Sequence, residues 1–148
     1  MPLIDLLKDA GIETLKETPL KSGATRYLGA SADLLTAIEV VGSMQAIRGL
    51  TITAVLNPGN EDAARRNGLL LDSVLRTLFP DWNGGYWIKV CFSRFDAMRA
   101  KLLRDHAHAT LEYTHGQSVI KLDFHPQTNT VALRVVLKGR HGSTALAA

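Results

Sequence analysis

Cysteine is almost missing from this chain: Cys91 is the only one among 148 residues, so an internal disulfide is impossible and a cysteine-based zinc site is excluded. Stability therefore has to come from packing. Long hydrophobic runs are missing as well. The longest, such as Leu69-Leu70-Leu71 and Val135-Val136-Leu137, fall far short of the ~20 residues a membrane-spanning helix requires. The first eight residues, Met1-Pro2-Leu3-Ile4-Asp5-Leu6-Leu7-Lys8, have no basic start, no extended apolar region and no small-residue cleavage site. The expected location is the cytoplasm, although a chain already stripped of a leader would read the same.

Runs of one charge are also lacking. The 17 Lys and Arg residues are scattered among 14 Asp and Glu, for a net charge of +3. This mildly basic balance without a concentrated patch makes a nucleic-acid partner unfavoured, because binding to a phosphate backbone normally uses clustered cations. No Gly-x-Ser-x-Gly element is present, and Gly42-Ser43 falls in a connection between strands, so a serine nucleophile elbow is excluded. Neither Gly-x-Gly-x-x-Gly, nor Gly-x-x-x-x-Gly-Lys, nor His-Glu-x-x-His occurs, so the common phosphate cradles and the helical zinc motif are out. No internal repeat or low-complexity tract divides the chain.

What is present suits a folded globular chain: 46% hydrophobic and 21% charged residues, in the usual range for soluble proteins. A length near 150 residues allows well over half of the unfolded surface to be buried around one core. One domain is expected over residues 1–138. Residues 139–148 have the composition of a flexible tail, and their last four, Ala145-Leu146-Ala147-Ala148, are similar to the end of the tag that bacterial ribosome rescue appends for proteolysis.

Leu3, Leu6, Leu7 and Ala10 share one face of a short helix over residues 2–10, with Gly11 as its left-handed terminator. Residues 17–24 carry Pro and Gly without periodicity and read as a loop before an extended segment near Thr25–Leu28. The β-branched segments 36–41 and 50–56 read as strands of an antiparallel hairpin. Asn60, followed by Glu61 and Asp62, reads as a helix start. In the helix that follows, Ala63, Leu70, Leu71, Val74, Leu75 and Leu78 trace an apolar face, and Pro80 ends it. Trp87, Cys91, Phe95, Met98 and Leu102 recur at helical spacing in a second long helix to about Arg104.

In the last third, Ala109, Leu111 and Tyr113 alternate with polar residues, as do Ile120, Leu122 and Phe124. A type II′ turn at Gly116-Gln117 would set His115 opposite Ser118 and Glu112 opposite Lys121. A third strand follows at Val131–Leu137, reached through a turn at Pro126–Asn129. Strands, then helices, then strands, without strict alternation, predict a two-layer α+β fold. The expected form is a mostly antiparallel sheet of five to six strands with two long helices packed on one face and a short N-terminal helix.

Four places are candidates for chemistry in this reading. The hairpin register sets His108 opposite His125 and Thr110 opposite Asp123, with His106 one step further. His106, His108, Asp123 and His125 are therefore candidate ligands for zinc or another divalent metal, although solvated histidines on a polar strand face are the commoner case. Cys91, on an apolar stripe between Trp87 and Phe95, reads as packing and not as a nucleophile. Trp82 and Tyr86 stand at the junction of the two long helices, where aromatic residues can anchor a partner; Trp82, beside two glycines, is expected to be exposed. Lys89, Arg94, Arg99, Lys101 and Arg104 could meet phosphates, but Asp96 and Asp105 interrupt them. A non-catalytic protein-binding or adaptor domain, with no cofactor, ranks first. A metal-dependent enzyme on the histidine face and a nucleic-acid binder are the alternatives. Homodimerisation is a further expectation, since sheet edges require cover.

Overall fold

A computed structural model describes residues 2–31, 35–42, 47–56 and 61–137. The expected helix cap at Asn60 and the tail from residue 139 onward, with its Ala-Leu-Ala-Ala end, lie outside the described residues. Among the described residues three helices are found, α1 (Pro2–Asp9), α2 (Glu61–Leu78) and α3 (Gly85–Asp105). Seven strands accompany them: β1 (Lys16–Pro19), β2 (Thr25–Ala30), β3 (Thr36–Gly42), β4 (Ile47–Val55), β5 (Ala109–His115), β6 (Ser118–His125) and β7 (Thr130–Val136). All seven join one sheet in the order β1-β2-β3-β4-β7-β6-β5, and every neighbouring pair is antiparallel. The fold is α+β on an antiparallel sheet. The count of five to six strands is corrected to seven, because Lys16–Pro19, read as the edge of a loop, pairs with Thr25–Leu28.

Two meanders meet at the centre of this sheet. The first runs β1 to β4, the chain crosses through α2 and α3, and the second runs β5 to β7 and returns so that β7 lies against β4. Register across the join is fixed by side-chain parity. Ile38, Ile52, Leu133, Leu122 and Leu111 stand directly opposite one another in a single row on the inner face. One step along the strands, Glu39, Thr51, Arg134, Lys121 and Glu112 form the matching row on the outer face. A slip of one residue in β7 would carry Arg134 into the core and Leu133 into water, so the pairing is strongly specified.

The expected hairpin register is found. His115 pairs with Ser118 and Glu112 with Lys121, whose ammonium lies 3.5 Å from the Glu112 carboxylate. Gly116 takes a φ of 60°, as the first position of a type II′ turn requires.

The inner-face row belongs to one hydrophobic cluster with Leu3 and Leu7 of α1, Leu71, Val74, Leu75 and Leu78 of α2, and Ile88, Cys91, Phe95 and Leu102 of α3. The stripe on α3 differs slightly from expectation: Ile88 is buried, Trp87 only half-buried, and Met98 lies at the surface. The Phe95 ring stacks on Phe124 of β6 at 4.8 Å, which docks α3 on the sheet. No helix among the described residues is long and apolar enough to cross a membrane.

Candidate docking groove

Because α2 and α3 each turn one face to the sheet, their remaining faces meet in a valley on the side away from it. Spacings of three and four place Arg65, Gly68, Leu69, Asp72 and Arg76 together along α2, and Gly85, Ile88, Lys89 and Phe92 along α3. With Trp82, Asn83 and Tyr86 these residues line a groove of about 760 Å³. Gly68 lies against the Phe92 ring, and Gly85 against the Asp72 carboxylate. The two close approaches set the helices antiparallel and bring their walls together.

Trp82 is the most buried aromatic of the groove lining. The indole is buried, with 6% of its surface exposed, which corrects the expectation that it is the exposed aromatic. Its Nε1–H donates to Asp72 Oδ1 at 2.9 Å, and its ring meets Tyr113 edge-on at 5.4 Å and His115 at 5.7 Å. Burial of an indole is stable when its N–H finds an acceptor, and Asp72 supplies one from the preceding helix. Arg76 Nε donates to the other oxygen of that carboxylate at 2.8 Å. A Cβ on Gly84 would stand 2.3 Å from the Trp82 ring, so only glycine fits there, while the neighbouring Gly85 faces the Asp72 carboxylate. Behind it, His115 Nε2 and Asp81 Oδ1 are 2.9 Å apart, and this contact holds the Asp81 carboxyl below its ordinary value.

Tyr86, by contrast, is 80% exposed on the groove rim, and Leu69 on the opposite wall is 60% exposed. The floor between them is apolar, formed by buried Ile88 and half-buried Phe92. Three cations, Arg65, Arg76 and Lys89, stand along the walls against the single carboxylate of Asp72. Arg76 is committed to that carboxylate, whereas Arg65 and Lys89 are exposed and have no ion-pair partner among the described residues.

The expected metal ligands are not brought together. His106 ends α3 in the left-handed conformation, φ 49°. The His108 and His125 rings stack on each other with centroids 4.9 Å apart, as the register implied. Asp123 is buried at 6% exposure and fully engaged: Thr110 Oγ1 donates to it at 2.5 Å and Arg134 Nε at 2.7 Å. Among the described residues no group of three or more His, Cys, Asp and Glu side chains stands in metal-binding geometry. A carboxylate already held by an arginine and a hydroxyl is not an open ligand, so the four residues expected as ligands form no common set among the described residues.

Cys91 is buried, with 1% exposure, and desolvation pushes its thiol up to about 11, against a weaker opposing pull from Arg94. A thiol held in its neutral form is a poor nucleophile. Two of the α3 cations are placed apart: Lys89 lines the groove, while Arg99 lies over the Phe124 ring at 4.9 Å and donates to Asn129 Oδ1 at 2.6 Å.

Comparison of the chain with protein-family models, with curated proteins and with solved structures returned no match in any of the three.

Sequence reasoning named Tyr86, which lines this groove, but did not single out the α2 wall. The signal was available in Gly68, a helix-interior glycine that costs helix stability unless another element approaches closely. Read with Arg65, Leu69, Asp72 and Arg76, it marks a second face of α2 that the apolar stripe does not account for.

Proposed function

We propose that the protein is a non-catalytic protein-binding module and that the groove between α2 and α3 is its docking site. The observation that supports this reading most directly is the pairing of an exposed tyrosine and an exposed leucine across an apolar floor. Tyrosine is enriched at binding hot spots because it combines large apolar area with a polar tip. The rigid support beneath it, a buried Trp82 tied to Asp72, keeps the site formed in the absence of a partner, which lowers the ordering cost of association.

The test is a peptide-display selection on the immobilised protein, with enriched peptides titrated against wild type and against Leu69→Asp and Tyr86→Ser. Both positions are exposed, so the variants fold. Enriched peptides that bind wild type and lose about tenfold or more on either variant support the reading, since a lost hot-spot side chain typically costs ≥ ~1.4 kcal/mol. Peptides that bind the variants as well as wild type would place recognition elsewhere and end it.

A further inference from the structure

Resting on that reading, we infer that the groove selects an acidic amphipathic helix as its partner. Length is the first argument. From Arg65 to Arg76 the α2 wall runs eleven residue steps, about 16 Å at 1.5 Å per residue, so it matches roughly three turns of a docked helix.

Backbone chemistry is the second. Both walls are helices whose interior N–H and C=O groups are used within the helix, and the floor is Ile88 and Phe92. An extended segment laid there would find no backbone partners, whereas a helix satisfies its own.

Charge is the third. The contacts of Gly68 with Phe92 and of Gly85 with Asp72 order the cations along the groove: Arg65 lies beyond the first contact, Lys89 between the walls, and Arg76 beyond the second. A partner helix with an apolar stripe flanked by about one carboxylate per turn meets them in sequence. A phosphate backbone suits the site less well, because two cations without an ion-pair partner among the described residues fall well below the ~6–10 phosphate contacts typical of nucleic-acid binding.

The experiment titrates the full chain with two synthetic helical peptides of about three to four turns. Both carry the same leucine and phenylalanine stripe, one with glutamate and the other with lysine at the flanking positions. The glutamate peptide is expected to bind about tenfold or more tighter than the lysine peptide and to weaken as salt rises from 50 mM to 500 mM, where exposed charges are screened. Arg65→Glu combined with Lys89→Glu is expected to reverse the preference with no change in circular dichroism. Equal binding of both peptides to wild type would overturn the inference while leaving the docking reading intact. Binding of neither would take both down. A single-stranded oligonucleotide that displaces the glutamate peptide and binds more tightly would reassign the cations to phosphate and overturn the inference.

Discussion

Trp82 shows how far a local reading of one residue can be reversed by its neighbours. Flanked by Asn83, Gly84 and Gly85, it has the sequence setting of an exposed loop aromatic. The indole is instead buried because Gly84 leaves room for the ring and Asp72, ten residues earlier, accepts its N–H. Nothing in the local sequence announces that acceptor. Trp82→Ala is expected to destabilise the fold by about 3–5 kcal/mol, from the lost burial and the cavity left behind, and to leave Asp72 with Arg76 as its remaining partner. Urea unfolding of the variant checks this; a loss under about 1 kcal/mol would mean that the ring contributes little to the core. Tyr86, four residues on, is the opposite case: it is 80% exposed, and Tyr86→Ser should leave the unfolding midpoint nearly unchanged.

Among elements, legibility followed burial on one face. The β5–β6 hairpin was readable down to its register, because strict alternation, a turn glycine and the Glu112–Lys121 pair all point to the same alignment. Strand β1 was unreadable for the converse reason. Lys16-Glu17-Thr18-Pro19 has no apolar alternation, is almost wholly exposed, and is held as a strand only by backbone pairing to β2. The α3 stripe was read from the large side chains, whereas burial is set by where the helix meets the sheet; Ile88 therefore replaced Trp87 at its start. The end of α3 concealed another role. With His106 left-handed, its N–H donates to Leu103 O and the Ala107 N–H to Leu102 O at 2.9 Å, the closing bonds of a Schellman motif. Histidine is strained in that conformation and glycine is not. His106→Gly should therefore stabilise the protein by about 0.5–1 kcal/mol, raising the melting temperature by roughly 1–4 °C. A fall in melting temperature would show that the imidazole makes a contribution larger than the relief of strain.

Across the whole molecule, stability at alkaline pH is tied to the single thiol in the core. Burial raises Cys91 from its ordinary value of 9.0 to about 11. Below pH 9 both folded and unfolded chains keep the proton. Between 9 and 11 the unfolded chain releases it and the folded chain does not, so stability falls as pH rises through that window. Cys91→Ala should flatten this decline, seen as a smaller drop in melting temperature between pH 8 and pH 10.5 than in wild type. An identical drop in both would show that the thiol does not govern the alkaline loss.

The two borders of the sheet are unequal: β1 offers four residues ending in Pro19, and β5 offers seven with no proline. Proline removes an N–H from the ladder and shortness limits what can be gained, so a foreign strand would find purchase only beside β5. Two copies joined there would present nothing but their β1 borders outward. Among the described residues, strand addition at β5 would therefore leave only short, proline-ended strands as the edges of the joined sheet.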